Sequence, residues 1–424
     1  MIINCKKSSL NGEIKIPGSK SHVVRALVIA SLAEGTSKIL DPLYSDDSSA
    51  CISACRAFGA KIIEKDSLLE VRGIGKKPRT PVKEVYLGNS GVSTTYIAGL
   101  AAHARGPSIL TGGESLSARP FEPICKGINN LGGKAESLGG SGKLPLKISG
   151  FLEGGFTEID GVNSQPVSSL LVNCAIAKND SEIKVINPHE TPYVEMTMHW
   201  LDEQKINYKA SKNFDKFEVS GGQEFKPFEK SIPADWSSAC FSLCAGAIIP
   251  NSKIVLKGLD YDDSQGDKEI VNVLKKMGTN IKIEKDGTTV ETSELRGTEI
   301  DLNKMPDALP ILSVVACFAD GETRITNVAH SRIKETDRIS AMYNELKKMG
   351  ANIEELPDGL LIRKSKLNGA AVNGHSDHRT IMALAIAGLN AEGSTKINTA
   401  EGISKTYPTF VDTMRKLGAK MEMV

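Results

Sequence analysis

The segment HSRIKETDRISAM gathers Arg332, Lys334, Glu335, Asp337 and Arg338 into one short stretch. Mixed charge runs usually face water. This one leads into the helical pattern ISAMYNELKKMG, and a cap at Thr336 would leave Lys334 and Glu335 in the loop before it, where functional groups reach a ligand. Similar placements recur. GHSDHRT pairs His378 with Arg379 at another helix start, and GISKTYPTF sets Lys405 ahead of a proline. PGSKSHVVRA puts Lys20 and Ser21 at a helix start with Arg25 about one turn on, and LTGGESLSARPFEP places Arg119 before Pro120 in a glycine-containing loop. Guanidinium forks and ammonium groups distributed in this way suit a ligand that carries both a phosphate and a carboxylate. Asp307 in MPDALPIL precedes an apolar helix, where it serves either as an N-cap or as a carboxylate base among apolar neighbours. Asp235 in ADWSSACFS is placed likewise.

These groups must be positioned by a repeating framework. A helical segment ending in glycine and followed at once by a short strand recurs as CRAFGAKI, INNLGGKA, LKKMGTNIKI, LKKMGANI and MRKLGAKMEMV, with LDEQKINYKA filling the gap without its glycine. That is about six units at a spacing of roughly 70 residues, three per half. The glycines suit helix C-caps in the left-handed conformation. Apolar helices such as SHVVRALVIASLA, VSSLLVNCAIA, SSACFSLCAGAII and HRTIMALAIAGL lie between these signatures, with strands such as KIVLKGL, TRITNVA and TKINTA after them. Periodicity leaves open whether helices or sheets lie inside. In four units the start of the apolar helix is basic, polar or glycine-rich (GSKSHVVR, LGNSGVSTT, VNSQPVSS, SDHRT), and helix N-termini attract anions.

At 424 residues the chain is long for one core, so two domains of about 200 residues are expected. A formal net charge of +1 argues against nucleic acid as a partner and confines any anion site to a local cluster. The N-terminus lacks a signal-peptide core and no stretch is apolar enough to span a bilayer, so no membrane partner and a cytoplasmic address are expected. The eight cysteines lack C-x-x-C pairs and read as buried free thiols. There is no metal motif, P-loop, Rossmann fingerprint, G-x-S-x-G or Cys/His nucleophile set.

Taken in order, PGSKS, LGNSG, LTGGESLSARP, NSQPVSSLL, PYVEMT, ADWSSA, MPDALP, RIKETDR, SDHRT and SKTYP resemble the motifs of the enolpyruvyl transferases over essentially the whole chain, in the branch whose acceptor is shikimate 3-phosphate. The resemblance implies an α/β fold of two similar domains, each made of three βαβαββ-type units with helices inside and sheets outside, an inside-out α/β barrel. It places the first domain at 17–231 and the second at 1–16 with 232–424. It implies transfer of the enolpyruvyl group of phosphoenolpyruvate to the 5-hydroxyl of shikimate 3-phosphate through a tetrahedral intermediate, with release of phosphate, no metal and no cofactor, and a monomer as the working state. Residue by residue, Lys20, Asp307 and Glu335 would be catalytic. Lys20, Gly91, Arg119, Gln165, Arg338, Arg379 and Lys405, with Glu335 beside them, would meet phosphoenolpyruvate. Lys20, Ser21, Arg25, Ser164, Gln165, Tyr193, Asp307 and Lys334 would meet the acceptor.

The chain also departs from the family pattern. Thr95 stands where an Arg is usual, Asn163 and Glu190 fall at or near positions where a phosphate-binding Ser is common, and Val92 and Tyr96 differ beside Gly91. Glu190 therefore either points away from the acceptor or signals a different one. The alternatives are a transferase with another acceptor, the UDP-N-acetylglucosamine relative, whose loop cysteine is replaced here by Glu114, and a catalytically silent binding protein.

Overall fold

A computed structural model describes residues 1–424. The chain divides into two compact units, residues 18–233 and residues 1–17 with 234–424. In the first unit the helices are Lys20–Leu32 (α1), Asp46–Ala57 (α2), Gly91–Ala101 (α3), the short Glu114–Ser117 (α4), Glu122–Asn130 (α5), Ser164–Cys174 (α6) and Thr191–Glu203 (α7). In the second they are Trp236–Ile248 (α8), Ile270–Met277 (α9), Leu309–Phe318 (α10), Arg338–Lys348 (α11), His378–Asn390 (α12) and Phe410–Lys416 (α13).

Each unit carries three four-stranded sheets, and all six share one pattern. In one of them, Val85–Tyr86 runs parallel to Ser108–Thr111, which pairs antiparallel with Leu146–Gly150, which in turn pairs antiparallel with Gly133–Ser137. In the sheet that ends the chain, the third place is taken by the N-terminal strand Ile3–Lys6, between Ser394–Asn398 and Lys420–Met423. The parallel pair in each sheet requires a crossover, and an apolar helix leads into its second strand. These helices are the apolar segments seen in the sequence, and α3, α8 and α12 are buried on every side. Helices buried all round belong in a core. Within the second unit α8, α10 and α12 pack on one another, and within the first α3 packs on both α1 and α6. The choice that periodicity left open is settled: helices inside, sheets outside.

The second helix of each repeat is amphipathic and ends as the sequence predicts. Gly59, Gly132, Gly278, Gly350 and Gly418 follow these helices at φ between 94° and 112°. In the unit without its glycine, Lys205 takes the left-handed position at φ 58°. The stop is thus geometric, and a lysine occupies it at a cost that glycine avoids. All eight cysteines are free and buried, and burial pushes the thiols of Cys174 and Cys317 up to about 12. No helix is long and apolar enough to cross a membrane.

Candidate active site

In residues 18–233, Lys20, Ser21, Gly91, Ser164, Gln165 and Tyr193 sit in the first turns of helices, with Arg25 one turn further along α1 and Arg119 in the loop after α4. Lys20 opens α1, and its Nζ lies 3.1 Å from the buried carboxylate of Asp47 at the start of α2. Asp47 carried no signal in the sequence beyond being one of the two acidic residues in DDSS. Gly91 opens α3, and a Cβ built there would lie 2.8 Å from Arg119 Nη1 and 3.7 Å from Gln165 Oε1. Three of the residues expected to meet phosphoenolpyruvate therefore converge, with the guanidinium of Arg119 close against the backbone of Gly91.

Arg25 is nearly fully buried. Its Nε donates to Thr197 Oγ1 at 2.8 Å, its Nη1 to the Ser21 carbonyl at 2.8 Å and its Nη2 to the Tyr193 carbonyl at 2.7 Å. It ties α1 to α7 and stacks 5.4 Å from the Tyr96 ring. Tyr96, a departure in sequence, thus has a partner role, its hydroxyl lying 3.1 Å from Thr197 Oγ1. Thr95 is accommodated as a neutral residue: its Oγ1 donates to the Gly91 carbonyl at 3.0 Å. Asn163 caps α6, accepting from Gln165 N at 2.9 Å.

Glu190 turns its carboxylate to the start of α6. It is 2% exposed, holds φ 53° just before α7, and accepts from Ser164 Oγ at 2.9 Å and Ser164 N at 3.3 Å. A built-in carboxylate therefore occupies the N-terminus of α6, where the helix dipole and the free N–H favour negative charge.

In the other unit the charged candidates form one array. Arg338 opens α11 and is 1% exposed; its Nε donates to Asp377 at 2.8 Å, its Nη1 to Asp307 at 2.6 Å and its Nη2 to Glu335 at 2.7 Å. Arg379 reaches the second oxygen of Asp307 at 2.7 Å, and Lys405 reaches the second oxygen of Glu335 at 3.0 Å. Burial opposes charge on Arg338, but Asp377, Glu335 and Asp307 outweigh it and hold the guanidinium well above its ordinary range. Three cations thus face three carboxylates. A guanidinium has five N–H donors, and Arg338 engages these carboxylates through all three of its nitrogens.

The structure corrects several readings of the sequence. The cap of α11 is Asp337, which accepts from Ser340 N at 3.0 Å, and not Thr336, although Lys334 and Glu335 do lie in the preceding loop. Asp307 lies inside the short 3₁₀ turn Pro306–Ala308 and not at an N-cap, and its carboxylate belongs to the array, whereas Asp235 is an ordinary N-cap accepting from Ser238 N at 3.0 Å. Arg332 stands apart, clamped to Asp337, Glu355 and the carbonyls of Leu356 and Pro357. Asp377 was not singled out in the sequence. It caps α12 through Arg379 N at 2.8 Å while holding Arg338, and its place in SDHRT, directly before a helix start, is the signal that could have found it.

This arrangement can bind a phosphate and a carboxylate and offers carboxylates for proton transfer. The sequence profile described as EPSP synthase (3-phosphoshikimate 1-carboxyvinyltransferase) matches residues 5–414. The chain belongs to the EPSP synthase family. It is therefore an enzyme, an enolpyruvyl transferase. The 3-phosphoshikimate 1-carboxyvinyltransferase of Ruminiclostridium cellulolyticum is 45% identical over 424 residues, covering all of both chains. That of Acetivibrio thermocellus is 46% identical over 419 residues, 99% of each chain. The solved EPSP synthase of Acinetobacter baumannii superposes with a TM-score of 0.83 at 26% identity, covering 99% of each chain. The inside-out α/β architecture is thus that of EPSP synthases.

Proposed function

We propose that the chain transfers the enolpyruvyl group of phosphoenolpyruvate to the 5-hydroxyl of shikimate 3-phosphate. Asp307 takes the hydroxyl proton as the new C–O bond forms, and the methylene carbon gains a proton to give the tetrahedral intermediate. Loss of that proton and cleavage of the phosphate C–O bond release phosphate and regenerate the enol double bond. Lys20 and Glu335 serve the methylene proton, while Arg119, Arg338, Arg379 and Lys405 hold the phosphate and carboxylate and stabilise the developing charge. Ser21, Arg25, Ser164, Gln165, Tyr193 and Lys334 serve the acceptor. The observation that carries this reading is the array in which Arg338 binds Asp307, Glu335 and Asp377 together. The free, buried thiols fit a cytoplasmic enzyme, and the reading takes a monomer as the working state.

Phosphate release from phosphoenolpyruvate, followed with shikimate 3-phosphate, shikimate and UDP-N-acetylglucosamine in parallel, is expected only with the first. Release with another acceptor, or with none, would overturn the assignment. Glu190 makes a second expectation. Its carboxylate takes the Ser164 donors that the acceptor's phosphate would use, and like charges at such a range repel even with an effective dielectric near 20. Glu190→Ser is expected to lower KM for shikimate 3-phosphate by about tenfold and to leave KM for phosphoenolpyruvate unchanged. An increase in the acceptor KM would make Glu190 a supporting contact instead.

A further inference from the structure

Two turns beyond Arg338 on the same helix, Glu345 is a carboxylate only 2% exposed. Lys348 Nζ donates to it at 2.7 Å. The other donors come from the end of the strand Ala371–Asn373 and from the loop that joins it to α12: Asn373 N at 2.9 Å, and the His375 imidazole, whose Nε2 lies 2.9 Å from Oε1. Burial works against ionisation of Glu345, yet Lys348, the Asn373 amide and His375 together hold its carboxyl below the usual range.

The bracketed loop is held in an unfavourable shape. His375 and Ser376 are consecutive non-glycine residues at φ 54° and 52°. Such residues persist in the left-handed region only where their surroundings fix them. Asn398 Oδ1 accepts from Gly374 N at 3.2 Å and Thr399 Oγ1 from Ser376 N at 3.0 Å, which anchors the loop from a second side. The next residue, Asp377, holds Arg338 and caps the helix that begins with His378 and Arg379. Helix α11 and this loop are therefore tied twice: by Arg338–Asp377 at the charged array, and by Glu345 to Asn373 and His375 away from it.

We propose that Glu345 is a positioning residue for phosphoenolpyruvate binding, fixing the loop that sets Asp377 and Arg379 against Arg338. The inference rests on the reading that Arg338 and Arg379 hold that substrate. A small displacement of an anion clamp is costly to binding, since bidentate hydrogen bonds need both partners aligned.

The test is steady-state kinetics of Glu345→Ala, Glu345→Gln and His375→Asn, with Arg379→Lys as the control and thermal melting of each variant. Asn tolerates the left-handed backbone of position 375 and lacks the imidazole. For Glu345→Ala we expect KM for phosphoenolpyruvate to rise about tenfold, with kcat within about threefold and KM for shikimate 3-phosphate unmoved. Glu345→Gln, which keeps an acceptor oxygen, is expected to recover most of the loss, and His375→Asn to raise the same KM several-fold. If Glu345→Ala does not fold, His375→Asn, at a partly exposed side chain, decides the question. Equal loss in both KM values in step with melting temperature, or no change in either variant, would overturn the proposal. If Arg379→Lys also left KM for phosphoenolpyruvate unchanged, the failure would lie in the assignment of the arginines; if it raised that KM while the Glu345 and His375 variants did not, only the bracket would fall.

Discussion

Asp307→Asn is expected to lower kcat by about 10²- to 10⁴-fold, the range that one positioned general base contributes. The substitution keeps shape and one acceptor oxygen and removes the capacity to take a proton. The structure also decides which variant is informative. Asp307 accepts from Arg338 on one oxygen and from Arg379 on the other. Alanine would release both guanidiniums, so Asp307→Ala is expected to weaken binding of a phosphoenolpyruvate analogue as well as turnover. In Asp307→Asn the amide NH₂ faces one of the two arginines, which must turn aside, but the other hydrogen bond survives. Calorimetry with the analogue should therefore give an affinity within about tenfold of the parent for Asn and a larger loss for Ala. Turnover of Asp307→Asn within tenfold of the parent would remove Asp307 from the role of base.

The framework was legible because its signals are local. Glycine caps after amphipathic helices and apolar stretches between them follow from backbone sterics and burial, and the structure places a residue at positive φ at each stop, including Lys205 where glycine is absent. Periodicity could not say which layer lies inside, since that depends on how three units close on one another. Among the charged residues, chain position showed which lie at helix starts but not which oxygens meet which donors. Arg332 and Arg338 look alike in HSRIKETDR, yet one clamps a surface strand end and the other is buried among three carboxylates. The helical spacing of Arg338 and Glu345 is readable, but the loop that Glu345 grips lies far along the chain and nothing local announces it. Glu190 is the reverse case: the sequence flagged its charge, and only the structure shows that Ser164 answers it.

Arg338→Met carries the largest expected cost to stability. Methionine approximates the length of the arginine stem, so packing is largely kept and the change isolates the charge. Asp377, Glu335 and Asp307 each lose a donor, and Asp377 is fully buried. Breaking a buried ion pair by removing one partner typically costs about 3–5 kcal/mol, because the remaining charge stays buried without compensation. For a unit of this size that corresponds to a fall in melting temperature of roughly 10 °C. The loss should be partly reversed by adding Asp377→Asn, which removes the most deeply buried of the three charges and retains an oxygen to cap α12 at Arg379 N. A coupling of about 1 kcal/mol or more between the two substitutions, from thermal or denaturant unfolding of the four proteins, would mark Asp377 as the carboxylate that Arg338 chiefly neutralises. Additive losses would place that role with Asp307 and Glu335, whose second oxygens retain Arg379 and Lys405. An Arg338→Met protein that melts within about 2 °C of the parent would show that those two cations suffice and that Arg338 serves the substrate alone.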